Sequence, residues 1–207
     1  MFLSITVIII IVNVLVSFAG FQREEVFDRL SFRPAMVWYD KQWYRMLTSG
    51  FLHVDYTHLI FNMMSLYSFG IFTQYAFEHY FGEGGMWIFA GFYLAAIVFS
   101  SIPDLIQQKN NQYFHAVGAS GGVSAVIFAS ILFSPMSDMG LLFIPLRIPA
   151  FVFGALYLLY SAYMAKRQSD NIGHLAHFSG AIFGFAFPLI FHPGLFMEFL
   201  TKIINRI

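Results

Sequence analysis

Cysteine is absent from this sequence and charge is scarce, since Asp, Glu, Lys and Arg make up only 11% of its 207 residues. Without cysteine the chain has no disulfide bond, no thiolate metal site and no cysteine nucleophile. Soluble domains usually carry about 25% charged residues, so the polar surface of an ordinary water-soluble domain is missing. The net charge is zero and no basic run occurs, so no nucleic-acid partner is expected.

Long apolar runs take the place of charge: 58% of the residues are hydrophobic, 20% are aromatic and the mean hydropathy is +0.68. A membrane-spanning helix needs about 20 apolar residues, and charge-free stretches of roughly this length recur along the chain. They predict an all-α membrane protein, a bundle of six transmembrane helices that forms a single domain over residues 1–207. The first run lacks the charged start and the cleavage site of a signal peptide, so we expect a retained helix. The predicted spans are roughly 2–20, 56–77, 84–103, 117–134, 143–165 and 171–192, followed by a short C-terminal tail at 193–207.

The longest polar segment lies between the first two predicted spans, at residues 21–49. It contains five of the eleven Lys and Arg residues, mixed with acidic residues, tryptophan and tyrosine. Aromatic residues beside cations are typical of a segment at the membrane–water interface. We therefore expect a long interfacial first loop.

The first chemically suggestive motif is Gly118-Ala119-Ser120-Gly121-Gly122, at the start of the fourth predicted span. A serine among small residues at a helix N-terminus has an accessible hydroxyl, and unpaired backbone N–H groups there can stabilise an oxyanion. Small residues also serve plain helix packing, so the motif alone leaves both interpretations open.

The second motif surrounds His177 in the sixth predicted span. His177, Gly180 and Gly184 share one helix face, and the glycines allow a neighbouring backbone to approach closely. An apolar environment keeps an imidazole neutral, as a general base requires. A haem ligand or a proton relay is the alternative for an isolated histidine in a membrane.

The third constellation is His58 with Asn62, in the second predicted span. Residues four apart present their side chains on one helix face, and this pair could supply two donors to an oxyanion. A hydrogen bond between helices is the alternative. Taken together, a serine, a histidine and a donor pair on three spans are the parts that acyl transfer requires.

In these motifs the sequence resembles the rhomboid family of intramembrane serine proteases, in its minimal six-helix form. The segment Arg45–His53, followed by His58 and Asn62, resembles the family's signature from the first loop into the second helix. Gly118–Gly121 resembles its G-x-S-G nucleophile motif, and Ala176–Gly184 matches its A-H-x-x-G-x-x-x-G base motif. The order and spacing of the motifs agree along most of the chain.

The resemblance implies a serine endopeptidase with a Ser120–His177 dyad and an acyl-enzyme intermediate. The oxyanion would be held by the Ser120 backbone N–H, with Gly118 beside it, and by His58 and Asn62. Substrates would be transmembrane proteins in the lipid bilayer, cut in or beside a helix. No cofactor and no metal are expected, and the oligomeric state stays open.

Two positions depart from the family pattern. Some members place a tyrosine four residues after the nucleophile, where it stacks on the base, whereas this chain has Ser124. His177 must then be oriented by another group, such as Phe178 or an aromatic residue on a different helix. Many members also have a tryptophan directly before the loop arginine, where this chain has Tyr44, with Trp43 one place earlier.

Rival functions depend on other residues. A rhomboid-like pseudoprotease would bind transmembrane helices without cleaving them. A glutamate-type membrane protease is suggested by Glu24, Glu25 and Arg29, which fit E-E-x-x-x-R, although the F-x-x-x-H element of that family is absent. A small transporter would show interrupted helices or paired repeats, and none is found.

The family resemblance implies that both termini are cytoplasmic, and the small size suggests a bacterial inner membrane. The charge distribution opposes this orientation, because cytoplasmic loops are usually enriched in Lys and Arg. Three cations would lie inside, namely Arg147, Lys202 and Arg206, against eight outside, namely Arg23, Arg29, Arg33, Lys41, Arg45, Lys109, Lys166 and Arg167. We also expect a polar hinge at Asp170–Asn171 and Gly173, before the sixth helix, and a fifth helix that moves to admit substrate.

Overall fold

The structure is a computed structural model that describes residues 4–140, 147–167 and 172–205. Helices dominate these ranges, joined by two 3-10 turns and one short antiparallel hairpin. The helices are α1 (Ile5–Gln22), α2 (Glu24–Leu30), α3 (Pro34–Tyr39), α4 (Arg45–Thr48), α5 (Tyr56–Phe81), α6 (Gly85–Gln108), α7 (Ser120–Phe133), α8 (Ala150–Arg167), α9 (His174–Phe191) and α10 (Gly194–Ile204). The hairpin strands are β1 (Asp138–Gly140) and β2 (Arg147–Pro149).

The six longer helices that precede the tail, α1 and α5 to α9, overlap the six predicted spans. Within the described ranges, three helical stretches are long and apolar enough to cross a membrane: Ile5–Gln22, Tyr56–Gln108 and His174–Phe191. The middle stretch contains both α5 and α6, separated by a 3-10 turn at Gly82–Gly84. The count of six crossings therefore stays a prediction. Residues 2–3, 143–146 and 171, which belong to the first, fifth and sixth predicted spans, and residues 206–207 of the predicted tail lie outside the described residues.

Several boundaries differ from the sequence-based expectation. Residues 147–149, which the all-α prediction placed in the fifth span, form strand β2, and α8 begins only at Ala150. Pro149 disfavours a helical conformation for the residue before it, and Ile148 pairs with Met139 instead.

Helix α5 continues to Phe81, beyond its predicted end at residue 77. Helix α6 continues to Gln108, through a polar stretch that we assigned to a connection. Helix α7 begins only at Ser120 and has 14 residues, which is about 21 Å at the rise of an α-helix. A hydrocarbon core is about 30 Å thick, so a helix of this length is too short to reach both of its faces.

The bundle is centred on α7, in which 12 of 14 residues are buried. Small residues allow the neighbouring helices to approach it. A Cβ at Gly180 would overlap the Gly121 backbone, and a Cβ at Gly184 would overlap the Ala125 backbone. Helix α9 therefore packs backbone to backbone on α7, as small-xxx-small motifs permit in membranes.

The first loop folds into α2, α3 and α4 around a buried arginine. The Arg45 guanidinium donates hydrogen bonds to the carbonyls of Asp28 and Ser31 at 2.7 and 2.9 Å, and to the Gln42 side chain. Arg45 is only 5% exposed, so these partners compensate a charge removed from water. Phe32 and Ala116 form an antiparallel β-bridge, in which each backbone N–H donates to the carbonyl of the other residue. This bridge ties the first loop to the segment that leads into α7.

Hydrogen bonds of polar side chains connect further helices. On α1, Thr6 donates its backbone N–H and its hydroxyl to the Gln74 side-chain oxygen on α5, at 3.0 and 3.1 Å. At the C-terminus, Tyr80 donates to Glu198 at 2.8 Å and Lys202 donates to the Phe133 carbonyl at 2.9 Å. These two bonds fasten α10 to the ends of α5 and α7.

Candidate active site

One cavity of about 1100 Å³ is lined by all five candidate catalytic and oxyanion residues predicted from the sequence. Its lining includes Ser120, His177, His58, Asn62 and Gly118, which come from α5, α7, α9 and the segment before α7. The motifs lie up to 119 positions apart in the sequence (58 to 177), so the packing of the helices brings them together.

Ser120 is the first residue of α7 and is half-buried at the cavity wall. The first four N–H groups of a helix have no partner within it, so donors at this end of α7 can serve an acceptor outside the helix. The preceding segment is held in place because the Gly118 N–H donates to the Ser49 carbonyl at 3.0 Å. Gly118 has φ +134°, a conformation that suits glycine.

The His58 imidazole lies against this turn. A Cβ at Gly118 would lie 2.7 Å from His58 Cε1, 3.0 Å from His58 Nε2 and 3.7 Å from Ser120 Oγ. The imidazole and the serine hydroxyl therefore share the space that a side chain at Gly118 would fill. A ring nitrogen in this place can donate to an oxyanion formed beside Ser120.

Asn62 is 7% exposed and lies one turn further along α5. Its side-chain NH₂ donates to the His58 carbonyl at 3.1 Å. An amide group has two N–H donors, so this bond orients Asn62 and leaves one donor for a second acceptor.

His177 reaches the cavity through the close contact of α9 with α7. Gly180, one turn after His177 and on the same face, meets Gly121, the residue next to Ser120. A Cβ at Gly121 would also lie 3.5 Å from the Ala176 carbonyl, directly before His177 in the chain. The base candidate and the nucleophile candidate are thus adjacent to one of two equally close backbone contacts between α7 and α9.

Tyr157 of α8 is the aromatic residue that faces His177. The two rings are stacked, with centroids 6.5 Å apart and planes at 23°. The Tyr157 and Ser124 hydroxyl oxygens lie 2.9 Å apart, within hydrogen-bond distance. The sequence led us to expect Phe178 or an aromatic residue on another helix, and the second of these expectations describes the observed stack. Nothing in the local pattern around Tyr157 indicated it, since α8 is rich in aromatic residues.

His53 stands directly behind His58. The ring centroids are 4.9 Å apart in an edge-to-face arrangement. Ser17 of α1 donates its hydroxyl to the Phe51 carbonyl at 3.0 Å, so at 2.8 Å its oxygen accepts from His53 Nδ1–H. Burial lowers the pKa of His53 to about 3, and the neighbouring His58 adds to this effect against a smaller opposing effect of Asp55. His53 is therefore a neutral, fixed support for His58.

Water can reach the cavity from the end where α6 and the following segment lie. The lining includes exposed polar residues there, among them Gln107, Asn111 and Tyr113. A hydroxyl, an imidazole and oxyanion donors in a water-accessible cavity can perform acyl transfer to water. Among the described residues, no group of three or more His, Asp or Glu side chains could hold a metal ion.

Comparison with known proteins adds the family context. The Rhomboid domain matches residues 40–194, which is more than half of the chain. A relative from Arabidopsis thaliana, RHOMBOID-like protein 12, mitochondrial, is 27% identical over 152 residues, 66% of this chain and 43% of the relative. Rhomboid-related protein 1 of Caenorhabditis elegans is 28% identical over 170 residues, 79% of this chain and 44% of the relative.

A third relative, Rhomboid-like protein 11, chloroplastic, of Arabidopsis thaliana, is 28% identical over 153 residues. The match covers 69% of this chain and 50% of the relative. The chain thus spans about half the length of the relatives that it matches.

Proposed function

This chain belongs to the rhomboid family of multi-pass membrane proteins, and we propose that it is a serine endopeptidase that cleaves transmembrane segments of other membrane proteins. The observation that supports this proposal best is the shared cavity. Ser120, His177 and His58 line one water-accessible space, and they match a nucleophile, a general base and an oxyanion donor.

In the proposed first half-reaction, Ser120 Oγ attacks the scissile carbonyl carbon while His177 takes the hydroxyl proton. The negative charge that develops on the carbonyl oxygen is stabilised by the Ser120 backbone N–H, His58 and Asn62. The intermediate then collapses: the C–N bond breaks, His177 returns the proton to the leaving amine, and an acyl-enzyme ester with Ser120 remains.

In the second half-reaction, water enters from the polar end of the cavity and attacks the ester. His177 takes a proton from that water, and the ester bond to Ser120 breaks with return of the proton to the serine. A third acid is not required. A buried carboxylate beside the base would carry a large desolvation cost, which the dyad avoids.

The proposed substrates are transmembrane helices of other membrane proteins. An α-helix hides its carbonyls in internal hydrogen bonds, so the segment to be cut has to unwind before Ser120 can attack. We therefore expect small residues at the cut and helix-weakening residues close to it.

A fluorophosphonate probe tests the catalytic part of this proposal in the detergent-solubilised full chain. We expect covalent labelling of the wild type and loss of labelling in both Ser120→Ala and His177→Ala. Ser179→Ala is the matched control, because Ser179 lies on α9 and donates its hydroxyl to the Leu175 carbonyl at 2.7 Å, outside the cavity lining. Labelling that persists in Ser120→Ala would contradict the assignment of the nucleophile.

The pseudoprotease alternative predicts a different result. A folded wild type that stays unlabelled, yet co-purifies with a transmembrane helix, would favour it over the protease. The glutamate-type alternative finds less support, because Glu24 and Glu25 are exposed on α2 and are not part of the cavity lining. Under the serine proposal, Glu24→Gln and Glu25→Gln retain labelling.

The proposed location is a bacterial inner membrane with both termini cytoplasmic. Five of the eight cations that this orientation places outside have contacts of their own, among them Arg167, which donates to the Tyr163 hydroxyl at 3.3 Å. Arg45 is buried in the first loop, Arg33 pairs with Asp28, Lys41 donates to the Trp38 carbonyl, and Lys109 lies 4.3 Å from the Trp38 ring centroid. Cysteines introduced near each end and tested with an impermeant thiol reagent decide the orientation, since the chain has no other cysteine.

Substrate entry between α5 and α8 is the access route that we propose. Of the predicted hinge, Asp170–Asn171 lie outside the described residues, whereas Gly173 directly precedes α9. A disulfide engineered between α5 and α8 should block cleavage of a transmembrane substrate but not labelling by a small fluorophosphonate. Unchanged cleavage in the locked enzyme would contradict this route.

A further inference from the structure

Ser124 lies one helical turn after Ser120 on the same face of α7, and it is 3% exposed. A buried hydroxyl needs a hydrogen-bond partner, and the Tyr157 hydroxyl lies 2.9 Å from it. This bond joins α8 to α7, the helix that carries Ser120, one helical turn after Ser120 in the chain.

The Tyr157 ring is fixed by more than this hydroxyl. Phe153, one turn earlier on α8, stacks on it with centroids 6.3 Å apart and planes at 19°, and Phe128 of α7 lies at 5.8 Å. The Tyr157 ring is also stacked with His177, at a centroid distance of 6.5 Å and with planes at 23°. Tyr157 is therefore held by two aromatic residues and one hydrogen bond, and it presents its ring to the imidazole.

We propose that Tyr157, held by Ser124, is the positioning residue that sets the plane of the His177 imidazole for proton transfer from Ser120. This inference rests on the function proposed above. Its consequence is that three helices build the dyad: α7 supplies the nucleophile, α9 supplies the base, and α8 orients the base.

The physical effect is on alignment and not on binding. A general base contributes on the order of a hundredfold to ten-thousandfold, provided that it lies within hydrogen-bond reach of the proton. A misplacement of about 1 Å can cost on the order of a hundredfold. Loss of the stacked ring should therefore lower kcat and leave KM nearly unchanged, because Tyr157 helps in the proton transfer and not in substrate binding.

The arrangement also connects substrate entry with catalysis. If α8 moves away from α7, the Ser124–Tyr157 bond breaks and the ring leaves His177. A substrate helix that displaced α8 would therefore meet a misaligned base until α8 returned. The dyad is therefore aligned for reaction only when α8 packs on α7 with the Ser124–Tyr157 hydrogen bond formed.

Four variants test the inference in the full chain. Tyr157→Phe keeps the ring and loses the hydroxyl, and we expect about a twofold to fivefold slower labelling by the fluorophosphonate, the cost of one neutral hydrogen bond. Tyr157→Ala removes the ring, and we expect about a tenfold to hundredfold slower labelling. Tyr163→Ala is the matched control, because Tyr163 lies on the same helix, is exposed and does not line the cavity, so its rate should stay at the wild-type value.

The fourth variant relocates the aromatic ring. In Tyr157→Ala combined with Ser124→Tyr, the new phenol lies on α7 and can fill the space that Tyr157 vacates beside His177. We expect this double variant to recover most of the rate that Tyr157→Ala loses. A role in packing α8 alone predicts no such recovery, because the double variant still lacks the aromatic ring at position 157 of α8.

NMR of the histidine side chains gives a readout that does not depend on activity. A stacked ring shifts the resonances of the imidazole beneath it, and His177→Gln identifies those resonances. We expect Tyr157→Ala to move them and Tyr157→Phe to leave them nearly in place. If Tyr157→Ala leaves both the labelling rate and the His177 resonances unchanged, the inference is wrong.

The two proposals fail in different ways. A folded wild type that is never labelled would overturn the proposed function, and the His177 resonances would still show whether Tyr157 sets the ring. Labelling that depends on Ser120 and His177 but is indifferent to Tyr157 would overturn the positioning role alone.

Discussion

Gly180 of α9 and Gly121 of α7 meet backbone to backbone, and a Cβ at Gly180 would overlap the Gly121 carbonyl. This contact lies one turn from His177 and one residue from Ser120. A second contact of the same kind, Gly184 against Ala125, follows one turn later. The separation of His177 from Ser120 is thus determined by two positions where only glycine allows the helices to approach.

The glycine contact leads to a first prediction. Gly180→Ala should lower the free energy of unfolding by about 1–3 kcal/mol or more, because overpacking forces the backbones apart. It should also slow fluorophosphonate labelling, since α9 carries His177 outward. Gly91→Ala is the matched control: Gly91 is a glycine inside α6 with nothing within 4 Å of its Cβ position. That change should be neutral or stabilise by up to about 1 kcal/mol. Equal effects of the two substitutions on labelling would contradict the prediction.

Gly118 provides a second prediction. An alanine there would have to adopt φ +134° and would press on His58 Cε1, which lies 2.7 Å from the Cβ position. We expect Gly118→Ala to lower the labelling rate about a hundredfold, as loss of an oxyanion donor does. Gly82→Ala has a comparable backbone problem, with φ +69°, but open space around its Cβ. It should cost about 1–3 kcal/mol of stability and leave the labelling rate of the folded protein unchanged.

The oxyanion assignment yields a third prediction. His58→Ala should lower kcat for a peptide substrate about a hundredfold to a thousandfold with little change in KM, because its interaction forms only in the transition state. Asn62→Ala should have a smaller effect, because one Asn62 donor bonds the His58 carbonyl in the resting structure. A rise in KM without a fall in kcat would show that His58 binds substrate and does not stabilise the oxyanion.

The buried His53 predicts a pH dependence of stability. Its pKa is about 3 in the folded state, against 6.5 for an unperturbed histidine, so between these values the unfolded chain binds more protons. Stability is therefore full above about pH 6.5 and is lost as the pH falls toward 3. Between pH 7 and pH 5 the loss from this group is about 2 kcal/mol. Equilibrium unfolding in detergent measures this loss, and in His53→Asn the free energy of unfolding should fall by about 2 kcal/mol less between pH 7 and pH 5. If the pH profiles of the variant and the wild type are identical, His53 is not the group responsible.

The first loop supplies a fifth prediction. Arg45→Ala leaves the Asp28 and Ser31 carbonyls without their donor in a buried site, so it should cost about 2–4 kcal/mol in the free energy of unfolding. Arg29→Ala, at an exposed position in the same loop, should change stability by less than about 0.5 kcal/mol. Thermal unfolding of the two variants compares them directly, and similar melting temperatures would argue against a structural role for Arg45.

Much of the candidate site could be read from the sequence because its chemistry is local. Charge-free stretches of about 20 residues locate helices, and a serine among glycines or a histidine before G-x-x-x-G stands out in an apolar chain. The family membership that these motifs suggested is confirmed by the match to the Rhomboid domain. The individual roles of Ser120, His177, His58 and Asn62 stay predictions until the variants are measured.

The partners of these groups could not be read in the same way. In a soluble helix, the contrast between a polar and an apolar face shows which side packs inward. In a bilayer the outward face is as apolar as the core, so this contrast is lost and only small or polar residues indicate packing. Tyr157 lies on a helix with several other aromatic residues, and Ser17 lies on a helix of isoleucine and valine.

The sequence by itself determined that this is a helical membrane protein of the rhomboid family, and it indicated where along the chain the candidate reactive groups lie. Composition and short motifs suffice for that, because they depend on residue types and local spacing. Only the tertiary structure decided that Tyr157 faces His177, that Ser124 holds Tyr157, and that Ser17 holds His53. Those pairs are 20 to 36 residues apart, counting 177 − 157, 157 − 124 and 53 − 17, and they meet because close helix packing selects one rotation for each helix.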